Sequence, residues 1–201
     1  MAVSSSKPRT RKYRKPTPER LANIALYYLS RYAASEASLR RVLENRIRRA
    51  AMADEFFAAD KEAHQALRQA IDRIVETHKT SGAINDAAFA ETKVRSLRRA
   101  GGSARKITEK LRQKGVSAQH IEKALVEDEA GDPAELEAEA ATAFARKRRL
   151  GPYRSVSKEQ GLDEAGLRSL KAKEFAAMMR AGFAYDVAAS VLKTSLADEI
   201  E

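Results

Sequence analysis

One spacing, used twice, constrains this chain more than any other feature. Leu111, Gly115, Ile121 and Leu125 stand 4, 6 and 4 residues apart, and so do Met178, Gly182, Ala188 and Leu192. A step of four keeps two apolar side chains on one helix face. The glycine suits the position just past a helix end, where the backbone turns left-handed. Each set therefore predicts two short helices joined by a glycine turn. An apolar helix with a basic end precedes each, through Arg95-Ser96-Leu97-Arg98-Arg99 and Arg146-Lys147-Arg148-Arg149. Tandem three-helix units follow.

Capping chemistry marks the boundaries. Ile84 and Phe89 flank Asn85 at the spacing of a hydrophobic staple, Gly101-Gly102 ends that helix, and Ser103 caps the next. Val116 and Ile121 staple a further helix around Ser117. Asp132-Pro133-Ala134-Glu135 then supplies a cap, an N1 proline and the glutamate of a capping box. Leu136 and Phe144 are expected to face inward, and Gly151-Pro152 to stop the helix. Leu162 and Leu167 bracket Asp163, and Leu170, Phe175 and Met178 lead on to Gly182.

A looser copy precedes these two. Leu21, Ile24, Tyr28 and Tyr32 form one helix face, and Ser35 caps a helix along Leu39, Leu43 and Ile47. Asp54 starts a helix through Phe57, Leu67, Ile71 and Ile74 to Val75, and Thr80-Ser81-Gly82 closes it. This copy lacks the glycine and carries an insertion near residues 50–65. The predicted fold is all-α, an elongated tandem array of three-helix, helix-turn-helix-like repeats. Residues 1–18 form a disordered basic arm, followed by repeats at 19–80, 82–128 and 132–195. Such arrays present long surfaces suited to an extended partner.

Composition narrows the function classes. The strong helix formers Ala, Arg, Leu, Glu and Lys dominate, and Val, Ile and Thr never gather into an alternating strand pattern. The absence of cysteine excludes disulfides, thiol catalysis and thiolate-bound zinc. No stretch approaches the roughly 18 apolar residues of a membrane span. Pro16-Thr17-Pro18-Glu19 stands where a signal peptide would be apolar, so a cytoplasmic location without membrane contact is expected. Net charge is +10. Within the first 20 residues Lys7, Arg9, Arg11, Lys12, Arg14, Lys15 and Arg20 oppose only Glu19, so the arm explains most of the excess. A basic surplus favours phosphates or acidic surfaces without choosing between them.

Catalytic signals are weak. His64, His78 and His120 are isolated, Asp163 and Glu164 read as helix-capping acids, and Gly101-Gly102-Ser103 lacks the Gly-Lys-Ser/Thr ending of a phosphate loop. Met178-Met179 suits core filling. No catalytic residue, cofactor or metal is expected, and the chain reads as a non-enzyme.

The run Gly82-Ala83-Ile84-Asn85-Asp86-Ala87-Ala88-Phe89-Ala90-Glu91, with Val94-Arg95-Ser96, Arg105-Lys106-Ile107, Leu111-Arg112-Gln113-Lys114-Gly115-Val116 and Ile121-Glu122-Lys123-Ala124-Leu125, resembles the central repeat of the RecX family. Ala25-Leu26-Tyr27-Tyr28-Leu29-Ser30-Arg31 is similar to its first repeat, and Arg180-Ala181-Gly182-Phe183-Ala184-Tyr185-Asp186-Val187 to its last. The resemblance covers about residues 20–193. The insertion, the missing Lys-Gly turn of the first repeat, the basic arm and Ala184, where a capping serine is common, depart from the pattern. The last departure costs about 1 kcal/mol of helix start.

The resemblance implies a regulator that binds RecA and its DNA filament as a monomer and restrains recombinase activity in DNA repair and the SOS response. DNA would be met by the basic faces and the N-terminal arm. Arginine clusters suit phosphates and acidic protein patches because guanidinium bonds them bidentately. The contact candidates are Arg40, Arg41, Arg46, Arg48 and Arg49; Arg95, Arg98, Arg99, Arg105, Lys106, Lys110, Arg112 and Lys114; and Arg146, Lys147, Arg148 and Arg149. For each, a solvated helix face paired with nearby glutamates is the plainer expectation, as Glu109 with Lys106. The competing class is a general nucleic-acid-binding helical protein, or a transcription regulator using Ser103–Leu125 as a helix-turn-helix, with Gln119, His120 and Lys123 as base readers.

Overall fold

The computed structural model describes residues 15–128 and 132–193. Among them the chain is helical throughout, with ten α-helices, two 3-10 turns and no strand. It divides after Asn85 into two compact units. Lys7, Arg9, Arg11, Lys12 and Arg14 of the arm, and residues 194 and 195, lie outside the described residues.

The first unit contains α1 (Pro18–Leu29), α2 (Glu36–Ala51), α3 (Glu55–Ala59) and α4 (Lys61–Thr80). Thr17 caps α1 by accepting the Arg20 N–H at 3.3 Å, and Pro18 occupies the first turn, where its missing N–H costs nothing. Ser35 caps α2 through the Ser38 N–H at 3.2 Å. Leu21, Ala25, Leu39, Leu43, Phe57, Leu67, Ile71 and Val75 fill the core, and Ile84 closes it. Two expectations change here. Tyr32 lies beyond the end of α1 and is exposed, so its predicted place on the buried face falls away. The helix expected from Asp54 to Val75 breaks at Asp60: Asp54 accepts the Phe57 N–H at 3.1 Å, and Asp60 accepts that of Ala63 at 2.9 Å. Two caps six residues apart restart the helix, which a continuous apolar line does not reveal. Ile84 belongs to this core, and Phe89 to a core of the second unit.

The second unit contains α5 (Asp86–Arg99), α6 (Ala104–Gln113), α7 (Ala118–Asp128), α8 (Pro133–Arg148), α9 (Glu164–Arg180) and α10 (Tyr185–Lys193). The 3-10 turns, Gly151–Tyr153 and Val156–Lys158, precede α9. The repeated spacing becomes repeated geometry. Gly115 has φ 77° and Gly182 has φ 93°. Beyond each, the next N–H returns to a carbonyl five residues back, Val116 to Leu111 at 3.1 Å and Phe183 to Met178 at 3.3 Å. Leu111, Ile121, Met178 and Ala188 are buried at matching positions.

The buried face of α8 carries more small side chains than expected. Ala140, Ala141 and Ala145 are buried, Phe144 faces inward as expected and packs half-buried against this core, and Leu136 is half-buried. Small side chains let α10 pack closely on α8, which an apolar-size pattern understates. The helix also ends before Gly151-Pro152, at Arg149 with φ 55° and ψ 57°. A left-handed arginine costs about 1 kcal/mol where glycine would cost little. Glu174, only 4% exposed, secures the loop that follows. It accepts from Arg154 Nε at 2.9 Å, from the Arg154 guanidinium again at 2.6 Å, and from the Gly151 N–H at 3.0 Å. The hydrogen bonds to Glu174 chiefly hold the Arg154 pKa above its usual value.

Candidate functional site

Within the second unit, the α5–α6 turn meets α8 at Gly101. A Cβ there would lie 2.8 Å from the Phe144 backbone nitrogen, and φ is +78°, so only glycine permits this approach. Arg98 ties the joint together. Its guanidinium pairs with Glu137 of α8, whose same oxygen accepts the Ala104 N–H at 3.0 Å at the start of α6. On the other side, the Ser103 hydroxyl donates to the Ala181 carbonyl at 2.7 Å while accepting the Lys106 N–H at 3.1 Å. One serine thus caps α6 and holds the end of α9.

These contacts enclose an open groove of about 620 Å³ between α6, α8 and α9. Its floor is apolar or backbone, from Leu97, Ala100, Gly101, Gly102, Phe144, Leu150 and Ala177. Its charges are all positive: Lys106 and Lys110 from α6, Arg148 from α8 and Arg180 from α9. No carboxylate lines it. The Arg148 guanidinium lies 5.7 Å from the centre of the Phe144 ring, so it is steered by a cation–π contact as well as by solvent. Lys106 bonds Glu109 at 2.7 Å. That bond, before the charge of Lys106 itself and of Arg105 and Lys110, holds the Glu109 carboxyl below its usual range.

The other sequence candidates divide by surroundings. Arg98 is internal, its side chain 10% exposed. Arg40 is half-buried between Asp72 and Glu36, and Glu36 also takes Lys79 at 2.9 Å. The Asp72 hydrogen bond raises the Arg40 pKa, while the Lys79 hydrogen bond chiefly lowers that of Glu36. Arg41, Arg46, Arg48 and Arg49 are exposed on α2, and Arg95, Arg99, Arg105, Arg112 and Lys114 on the helices of the second unit or their ends. Arg146, Lys147 and Arg149 are exposed too, with Arg146 5.1 Å from the Tyr153 ring centre. The fold therefore brings Lys106, Lys110 and Arg148 together from two separate sequence clusters. It adds Arg180, which no local charge run singled out.

Among the described residues no cluster of three or more His, Asp or Glu side chains could hold a metal ion, and no helix is long and apolar enough to cross a membrane. His64 instead packs on the Phe57 ring, centroids 4.6 Å apart, and its Nε2 donates to the Phe57 carbonyl at 3.0 Å.

Comparison with known proteins agrees with this architecture. Residues 85–125 match the profile described as RecX, second three-helix domain. The regulatory protein RecX of Myxococcus xanthus (strain DK1622) is 36% identical over 182 residues, covering 90% of this chain and 89% of that protein. The regulatory protein RecX of Agrobacterium fabrum (strain C58 / ATCC 33970) is 39% identical over 110 residues, 55% of this chain and 52% of that protein. The crystal structure of RecX from Lactobacillus salivarius superposes with a TM-score of 0.56 at 19% identity, covering 87% of this chain and 94% of the other, which is a likeness of fold. With more than a third of its residues identical along nearly the whole of the Myxococcus protein, this chain belongs to the RecX family of regulatory proteins.

Proposed function

We propose that this protein acts by binding, not catalysis, in the cytoplasm: it engages RecA and the RecA–DNA filament and restrains recombinase activity during DNA repair and the SOS response. The observation that carries this reading is the acid-free groove with Lys106, Lys110, Arg148 and Arg180 along its sides. A phosphate run or an acidic protein segment entering it meets four cations over an apolar floor, and both occur in a nucleoprotein filament. Neutralising about four phosphates would lower log K by about 3 for each tenfold rise in salt on single-stranded DNA. The helix-turn-helix alternative is not favoured, because α7 exposes Glu122 and Glu127 and ties Lys123 to Glu127 at 3.5 Å. A recognition helix would meet DNA with two carboxylates.

The test measures RecA's DNA-dependent ATP hydrolysis and filament length with this protein added. Stoichiometric addition should lower both. The variant with Lys106, Lys110, Arg148 and Arg180 all changed to Glu should lose the effect while remaining helical. No effect of the wild-type protein would overturn the RecA reading, and full inhibition by the variant would clear the groove of the role.

A further inference from the structure

The α2–α3 connection holds two large apolar side chains in water. Phe56 is 92% exposed and Met52 82%, in a chain with only six phenylalanines and four methionines. Looseness does not account for this, because the backbone on both sides is pinned. The Met52 N–H bonds the Arg48 carbonyl at 3.0 Å, continuing the ladder of α2. The Asp54 carboxylate accepts the Phe57 N–H at 3.1 Å, and its carbonyl accepts the Ala58 N–H at 2.9 Å. Phe57 is buried, covered by the His64 ring, with the Lys15 ammonium 5.2 Å from its centroid. The residue beside Phe56 is thus locked inward. Phe56 is held outward.

The helices on either side of this apolar tip carry cations. Arg48 and Arg49 occupy the last turn of α2, and Arg46 lies one residue before Ile47; all three are exposed. Lys61, His64 and Arg68 line a shallow pocket on the α4 side, with Ala58. Asp54 and Asp60 accept backbone N–H groups at the helix starts, and Glu55 on α3 and Glu62 in the first turn of α4 are exposed carboxylates. An exposed ring following a helix end that carries arginines matches single-stranded nucleic acid, where bases stack on aromatic faces and the backbone follows positive charge.

We propose that Phe56, supported by Met52 and flanked by Arg48 and Arg49, stacks on a base of single-stranded DNA. Two features favour this occupant. The tip is two side chains wide, whereas a stable protein interface needs about 800 Å² per partner. Insertion into a duplex would also require unstacking a base step, normally offset by a wide minor-groove contact that a five-residue helix does not offer. This contact lies in the stretch near residues 50–65 and does not depend on RecA.

The chain contains no tryptophan, so Phe56→Trp places a single reporter at the tip. Titration of the full-length variant with a 20-nucleotide oligothymidylate should quench its fluorescence, and titration with inorganic polyphosphate should not. Phe56→Ala should weaken oligothymidylate binding about tenfold, with polyphosphate affinity unchanged. Because Phe56 is 92% exposed, Phe56→Ala should keep the circular dichroism and melting temperature of the parent. Equal quenching by polyphosphate, or none by the oligonucleotide, would overturn the proposal. So would stronger quenching by a duplex of the same length, which would make the tip a wedge. A blue shift with RecA alone and no response to oligonucleotide would assign it to a protein pocket instead. None of these outcomes bears on inhibition of RecA ATP hydrolysis, which is measured separately.

Discussion

Reversing Arg98 to Glu tests whether that residue is a contact or a joint. Its guanidinium pairs with Glu137, the two side chains being 10% and 18% exposed. The same Glu137 oxygen accepts the Ala104 N–H, so one carboxylate links α5, α6 and α8. Leaving one partner of a buried pair unpaired costs about 3–5 kcal/mol, and slight exposure moves this site towards the lower end. Arg98→Glu adds repulsion between two carboxylates, so a loss of at least about 3 kcal/mol is expected. Arg99→Glu, one residue on and exposed, should shift stability by less than about 0.5 kcal/mol. Urea denaturation followed by circular dichroism at 222 nm measures both, and the transition of the second unit should move to lower urea for Arg98→Glu alone. Replacing the pair by Arg98→Met and Glu137→Leu should recover most of the loss, since apolar isosteres remove both charges together. If Arg98→Glu cost less than about 1 kcal/mol, the pair would be a screened surface contact and the reasoning would fail. Loss of RecA inhibition in Arg98→Glu would accordingly report instability, not a lost contact.

Two glycine-related substitutions at the same unit should act with opposite sign. Gly101→Ala forces a Cβ to within 2.8 Å of backbone at a positive φ and should cost about 2 kcal/mol or more, read as a lower denaturation midpoint; an unchanged midpoint would mean α8 shifts freely. Arg149→Gly relieves a left-handed arginine and should stabilise by about 0.5–1 kcal/mol, raising Tm by a few degrees, whereas a lower Tm would show that the side chain anchors the turn. Acid should act on the first unit through Glu36. Its folded pKa lies below the ordinary 4.5, so its contribution is complete above that value and is lost as the pH falls through the depressed one. Glu36→Gln should flatten the loss of stability below about pH 4.5, and an identical acid slope in the variant would remove Glu36 from the account.

Much of the helical plan was legible from local chemistry. Ser35, Ser103 and Asp163 cap the helices that their spacing indicates, because an N-cap is satisfied within three residues. The 4-6-4 spacing returns as two glycine turns of one geometry for the same reason: both the turn and its apolar partners are local. The break at Asp60 and the alanine face of α8 were less legible. The first depends on which of two aspartates caps, and the second on how closely a distant helix approaches.

The groove was only half visible in the chain. Lys106, Lys110 and Arg148 stood out as members of basic runs, yet charge runs look alike whether they face solvent, a core or a partner. Arg98 and Arg148 both belong to basic helix ends, but one is paired inside the joint and the other lines the groove. That division depends on Glu137, 39 residues from Arg98, and on the Ser103–Ala181 bond across 78 residues. The sequence by itself determined the helices, their caps and the repeat, because those rest on bonds within a few residues. Only the tertiary structure decided which cations meet, which are consumed internally and which aromatic is left in water, because burial and pairing are set by segments that the chain order keeps far apart.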